Sequence, residues 1–478
     1  MAFASASISS KNPSLFSQNF RSQKCSSSRT RSFTVRSSAA AESPVKASDS
    51  WIASALDICK PEGGKFEAMR LSAKKSLLDA NLPSNKMEEW RFTDLLPLVQ
   101  AKLVSPEGLK IPDISGFSLA EANSGRLVLV DGVFVPELSD LSGIHSAGAV
   151  VEPLSSLSDE AQVDISMLGK QSGEGSVFAQ LNTACTGEVV VVRVPAGVTM
   201  SVPLHVLALS SSAAAASQLA ASYARLVVVA EAGSSVEVIQ EFSGVSSEGH
   251  YFANVVSEME VAEGASIKHS VVQTQARKSV HIQSTFVRQA TKSSYALTDV
   301  ALGAGLGRHD VKIVQEGAET ATKMSTFYLA GAQQTLDTHT SLTLDHPDST
   351  SDQLHKCIVS DATGRGVFDG NVKVNRGAQK TDAKQLTRNL LLAPKATVNV
   401  KPNLQIVADD VKCTHGCTVS DLEDEELFYF QARGIDENTA RNMLVFSFGQ
   451  DVVKGLEYKE LRARVEAKVK SVLETACA

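Results

Sequence analysis

Between Pro203 and Pro347 the chain runs without a proline, and no other stretch limits the fold more. Proline cannot donate to a β-ladder, so a long proline-free run rich in β-branched residues suits extended backbone whose N–H groups are paired. Strand-like runs recur through this stretch and on both sides of it: "GEVVVVRVPAGVTMSVPLHVLAL", "ARLVVVAEAGSSVEVIQEF", "VAEGASIKHSVVQ", "VQEGAETATKMSTFYLAG", "VNRGAQKTDAKQ" and "LAPKATVNVKPNLQI". Turns of small residues separate them, with Gly197 and Gly233 as punctuation. "RLVLVDGVFV" adds a hairpin signal at Asp131-Gly132. Strands of this kind build a sandwich, a barrel or stacked coils. The small turns and the length of the run favour the coils of a parallel β-helix, with an irregular repeat. The expectation is a mainly β protein with a core over residues 121–419.

Both flanks read as helical. In 46–120, "FEAMRLSAKKSLLDANLPS" places Phe66, Met69, Leu71, Ala73 and Leu77 at roughly helical spacing until Pro83 stops the run, and both tryptophans, Trp51 and Trp90, lie nearby. In 420–478, Ser420 is the expected cap of a helix, with Glu423 closing a capping box. Asp421, Glu423, Asp424, Glu425 and Glu426 then suit the positive end of the helix dipole. Gly434 ends that helix, Asp436 starts another, and Leu461, Val465, Val469 and Val472 form one stripe of a last helix. The first 45 residues contain arginine, lysine and many serines but only one acid, Glu42, near their end. That is the composition of a cleaved transit peptide, plastid rather than mitochondrial because serine dominates. Cleavage between Ala39 and Ser48 would remove Cys25.

Composition excludes several function classes. A net charge of −7 argues against a nucleic-acid surface. The seven cysteines are scattered rather than evenly spaced, which points to a reduced compartment with most thiols free. The most apolar stretch, "VLALSSSAAAASQLAASYARLVVV", is broken by serines and Arg225, so no membrane span is expected. "GAGLGR" (303–308) is followed by strand-like residues, and its spacing is not that of a nucleotide loop. There is no P-loop, hence no ATP site of the chain's own, and no nucleophile elbow or H-E-x-x-H helix.

"ADDVKCTHGCTVSDLEDEELF" (408–428) is the densest chemistry. On an extended strand Cys413, His415 and Cys417 point to one face. Thiolate and imidazole suit zinc, copper or iron–sulfur species, but a metal needs further ligands from elsewhere. The plainer reading is a strand end with a buried cysteine and a hydrogen-bonded histidine. His339, His346 and His355, near Asp337 and Asp345, match no single face and read as turn and surface polar residues.

The segments "GVFDGNVKV" (366–374), "AQKTDAKQ" (378–385), "NLLLAPKATVNVKPNLQIVADDVKCTHGCTV" (389–419) and "ELFYFQARGI" (426–435) resemble the SufB/SufD family of iron–sulfur cluster assembly scaffolds, as do "KMEEWRFTDL" (86–95) and "PAGVTMSVPLHV" (195–206). The resemblance implies a parallel β-helix flanked by helical regions, and a non-catalytic scaffold subunit. Its implied partners are a SufB-like subunit and a SufC-like ABC-type ATPase docking on 420–478. Leu427, Phe428, Tyr429, Arg433 and Gly434 fall in that docking region. SufB carries a cluster-building cysteine where this chain has Leu390, Leu391 and Leu392, so the chain looks like SufD, most like one of a plant plastid stroma. His415, with Cys413 beside it, then becomes its contribution to a nascent Fe–S cluster shared with SufB. Cys417 stands where the family usually has a small residue. Neither the cluster type nor a flavin follows from the residues. Readings from other classes are a β-helix carbohydrate-active enzyme, which would need a ladder of aromatics that a 5% aromatic content does not supply, and a zinc or redox protein built on Cys413 and His415.

Overall fold

The computed structural model describes residues 45–59, 63–106, 108, 110–157, 176–211, 215, 217–422 and 424–476. Residues 1–44, nearly all of the expected transit peptide 1–45 and with them Cys25, lie outside these residues, as do Glu423 of the expected capping box and Cys477. The architecture is a parallel β-solenoid with helices toward both ends. Its strands form two ten-stranded sheets. From Val190–Val194 onward, consecutive strands alternate between the sheets, so each turn of the coil adds one strand to each.

The period-2 pattern explains the stacking. On Thr335–Leu344, Leu336, Thr338, Thr340, Leu342 and Leu344 are all buried, whereas Ser341, between two of them, is exposed. Parallel register places like residues in columns. Ile313 pairs with Leu342, Leu342 with Val372, and Val372 with Leu404. The first three are essentially inaccessible, each worth about 1.5–3 kcal/mol of apolar burial. Gly197, Gly233 and Gly264 turn corners with φ of +72°, +67° and +67°. Lys292 and Gln333 hold the same left-handed conformation at other turns, with φ of +59° and +56°. A corner that does not require glycine leaves no fixed mark in the sequence, hence the irregular repeat.

Helix α1 (Val45–Ile58) and α2 (Glu67–Leu78) pack on the outside of the early coils. Phe66, Ala73 and Leu77 are buried as expected, but Leu71 is exposed and Arg70 takes the inner face. The Arg70 guanidinium donates to the carbonyls of Gly63, Thr186 and Gly187, which repays its burial. α3 (Leu96–Val99) supplies the Leu98 carbonyl that accepts from Trp51 Nε1 at 3.1 Å. α4 (Ser142–Ser146) and α5 (Val177–Cys185) follow. Packing brings the end of α5 to the end of α1, and Cys59 and Cys185 are joined in a disulfide with Cα atoms 4.9 Å apart. Among the described cysteines this pair is the exception to the expectation that most thiols are free, which holds for Cys357, Cys413 and Cys417.

The expected hairpin is present, with Leu129 opposite Phe134 and Val130 opposite Val133. Asp131 and Gly132 both take positive φ, as a two-residue turn of this hand requires. The apolar stretch that failed as a membrane span forms strands Leu204–Ser210 and Gln218–Ala230, and no described helix is long and apolar enough to cross a membrane.

At the other end of the chain, α6 (Asp424–Gln431), α7 (Glu437–Val453) and α8 (Lys459–Ala476) follow the last strand. Ser420 ends that strand instead of capping α6, because its backbone is still in the ladder opposite Leu390. Gly434 takes φ +79° after α6, and the Asp436 side chain caps α7 by accepting from the Thr439 N–H. Leu461, Val465, Val469 and Val472 are buried along α8. α7 lies so close to strand Ala321–Ala330 that a Cβ on Gly449 would meet the Phe327 ring at 2.5 Å.

Candidate functional site

The last coil consists of Thr397–Ile406 in one sheet and Lys412–Ser420 in the other. Among the described residues no further strand pairs with the outer edge of either. Every position on both is half-buried or exposed, with Ile406 at 47% and Val419 at 49% accessibility. Residues that earlier coils bury therefore end here as an open apolar rim. The chain's densest chemistry sits on it.

Register shows what each of these side chains continues. Cys413 extends the column of Tyr295, Thr322, Ser351 and Ala383. His415 extends that of Leu297, Met324, Gln353 and Gln385, and Cys417 that of Asp299, Thr326, His355 and Thr387. All three belong to inward-facing columns. Cys413 packs partly against the main core cluster, while His415 and Cys417 are exposed. Burial pushes the Cys413 thiol above its ordinary range, the charge of Asp382 adds to this, and a hydrogen bond from the Ala383 backbone partly opposes it. Burial also raises Cys417. The protonated thiol is therefore favoured at both positions.

Alternate residues on a strand lie about 7 Å apart, too far for three neighbours to close a tetrahedron. Consistently, no group of three or more His, Cys, Asp or Glu among the described residues is arranged to hold a metal ion. Thiol and imidazole are donors that soft metals take, but these three residues do not by themselves make a metal site.

The expected docking residues separate into two kinds. Leu427 is buried at 9%, whereas Phe428 and Tyr429 are exposed at 69% and 55%. Arg433 stacks on the Tyr429 ring, 3.4 Å from its centroid, and donates to the Tyr429 carbonyl at 3.0 Å. With Gly434 behind them, these residues form an exposed aromatic corner beside the open rim.

Of the three histidines read as turn and surface groups, only His346 is one, exposed in a bend. His355 is an interior residue, 2% accessible, stacked on Phe368 at 4.5 Å and sharing a 2.6 Å hydrogen bond with Thr326. Burial pushes it down to about 3, so it is neutral. Its signal was the strand alternation of Ser351, Gln353, His355 and Cys357. His339 lies on the outer face of its strand, 3.0 Å from the buried Asp337. Arg308 donates to Asp337 at 2.7 Å and to the Glu89 carbonyl at 2.8 Å, and stacks 3.7 Å from the Trp90 ring centroid. This cluster pins the segment around Trp90 to the solenoid. A further interior network was missed: His309 bonds Asp299 at 2.9 Å and Thr285 at 2.8 Å, and Tyr328 donates to Asp299 at 2.7 Å.

These features define a class: a parallel β-solenoid closed by helices on its flank, open at its last coil, and carrying two cysteines and a histidine on the rim. Residues 211–448 match the SUF system FeS cluster assembly, SufBD core domain. Over 415 residues the chain is 41% identical to "Protein ABCI7, chloroplastic" of Arabidopsis thaliana, covering 85% of this chain and 86% of that one. It is 35% identical to an iron–sulfur cluster assembly SufBD family protein of Synechocystis, covering 83% and 88%. To the iron–sulfur cluster assembly protein SufD of Escherichia coli it is 29% identical, covering 85% and 93%. The chain belongs to the SufBD family of iron–sulfur cluster assembly proteins, and SufD is among its relatives.

Proposed function

We propose that this chain is a non-catalytic, SufD-like scaffold subunit of a plastid-stroma iron–sulfur assembly complex. Its last coil pairs with a SufB-like subunit, and a SufC-like ABC-type ATPase docks on the aromatic corner of Leu427, Phe428, Tyr429, Arg433 and Gly434. The observation that carries the reading is the open rim, where long unpaired edges, exposed Ile406 and Val419, and half of a metal-binding donor set coincide. The nascent cluster is cargo at the seam. His415 offers an imidazole nitrogen to iron, and Cys413 offers a thiolate once its proton leaves. ATP hydrolysis by the partner reaches the seam through α6 and α7. The Lys356 ammonium, which donates to Asp451 of α7 at 2.6 Å and to the Phe448 carbonyl at 2.9 Å, ties α7 to the solenoid wall. The serine-rich start and the chloroplast relative support the compartment.

The test is co-expression of the chain from residue 45 with SufB-type and SufC-type partners. A stable complex is expected, with no ATPase activity in the isolated chain. His415→Ala should assemble normally but hold less cluster after anaerobic reconstitution. A chain that stays monomeric with both partners present would sink the reading. Unchanged cluster content in the variant removes His415 from the site.

A further inference from the structure

The disulfide between Cys59 and Cys185 lies far along the chain from the open rim, and nothing at that rim uses it. It joins the ends of two helices separated by 126 residues. It also forms part of the wall of an open cavity of about 530 Å³, lined as well by Pro106, Asp131, Glu188 and Tyr223. The two cysteines are 7% and 6% accessible: covered enough to be ordered, yet bordering a space that a reactive side chain can enter. α1 has other holds on the molecule. Ile52 and Ala55 are packed in the flank cluster, and Trp51 bonds the Leu98 carbonyl. Opening the bridge therefore removes a covalent tie without removing the apolar docking, so the response is local.

We propose that Cys59–Cys185 is a reversible thiol–disulfide site, opened by a protein dithiol of the C-x-x-C class. One thiolate of the reductant attacks a sulfur of the bridge, forming a mixed disulfide and expelling the other cysteine, which takes up a proton. The second reductant thiol resolves the mixed disulfide. The reductant leaves oxidised, and Cys59 and Cys185 remain as two thiols, a transfer of two electrons and two protons. The reduced form holds α1 less tightly against α5. Cys357 serves as an internal control, since burial pushes its thiol up to about 12 and leaves it unreactive. The inference stands apart from the scaffold reading, because it needs neither partner nor cluster.

The experiment uses the full chain, purified in air and kept native. It is alkylated with N-ethylmaleimide before and after incubation with a thioredoxin-type dithiol protein and its reductase, then mapped by peptide mass, with amide exchange followed in parallel. The expected result is no label on Cys59 or Cys185 before reduction, label on both after it, and none on Cys357 in either state. Amide exchange in α1 should rise about tenfold on reduction. The double variant Cys59→Ala, Cys185→Ala should exchange like the reduced protein in both conditions. Labelling of both cysteines without reductant overturns the proposal, as does protection of both from the dithiol until the protein is denatured. A double variant that exchanges like the oxidised protein overturns it too, because the bridge would then not hold α1.

Discussion

The two ends of the solenoid solve one problem in opposite ways. At the first coils, the two-residue strand Val133–Phe134 caps one sheet and Val150–Pro153 the other, both antiparallel to their neighbours. These are the antiparallel pairs among the described strands, and short reversed strands blunt an edge. Ile144 of α4 plugs the interior, 1% accessible within the main core cluster beside Leu127 and Val151. At the last coil, strands of ten and nine residues stay open, parallel and half-exposed. A long flat edge with apolar rim residues invites another chain. The difference teaches that this chain finishes one end itself and leaves the other open, and the open end is where the proposed partner would sit.

Acid gives the largest expected effect and tests whether one continuous core joins the ends. Burial lowers His269 to about 3, His281 to about 4 and His355 to about 3. The unfolded chain binds protons at these positions below about pH 6.5, where the folded chain does not, so stability is present above that pH and lost as pH falls through it. Each histidine contributes up to about 1.4 kcal/mol per pH unit, roughly 4 kcal/mol for the three. Urea melts between pH 7 and 4.5 should show both ends failing together. A separate early transition of the last coil would break the picture of a shared interior.

Next comes Ile144→Ala at the closed end, which should cost about 2–5 kcal/mol in urea unfolding and leave complex formation intact once the protein is folded. Its mirror image is Ile406→Glu at the open end. Exposed at 47%, it should change unfolding by less than about 0.5 kcal/mol while weakening partner capture about 30-fold, the scale of an interface hot spot. If the open-end variant unfolds the chain, or the closed-end variant abolishes the complex, the division between the ends is wrong.

How much of this was legible follows from the same contrast. The solenoid could be read because a long proline-free run of β-branched strands is broken only by small turns, and the Asp131-Gly132 hairpin because its turn demands positive φ. That the β core ends near 419 could be read from the helical signals of 420–478, but how exposed the rim stands could not: nothing in "VKCTHGCTV" says that its inward-facing positions are left uncovered. His355 was misplaced because reading three histidines as one cluster hid the alternation that buries it. Leu71 and Arg70 exchanged faces because three carbonyls, two of them from beyond residue 180, make an arginine cheaper to bury than a leucine there. The disulfide depends on packing across 126 residues, which no local pattern carries.

The smallest effect concerns how the segment around Trp90 is held. Burial disfavours the charged form of His339, but Asp337 beside it outweighs this and raises the imidazole above its ordinary value. Arg308 and His339 in turn hold Asp337 below the usual carboxylate range despite its burial. The raised histidine adds stability that is complete below about pH 6.5 and fades as pH rises through its folded value, whereas Asp337 stays ionised throughout that window. His339→Gln, which keeps a hydrogen-bond donor and removes the charge, should flatten the alkaline loss of protection in residues 88–93 measured by amide exchange, corrected for intrinsic rates. The change should stay within about 1 kcal/mol and should not reach Lys412–Ser420, although the other strand of the last coil touches this segment through the Glu88–Lys401 ion pair at 2.7 Å. If protection at Lys412–Ser420 shifts with it, the outer face of the solenoid and its open rim are coupled, and the two ends are less independent than their capping implies.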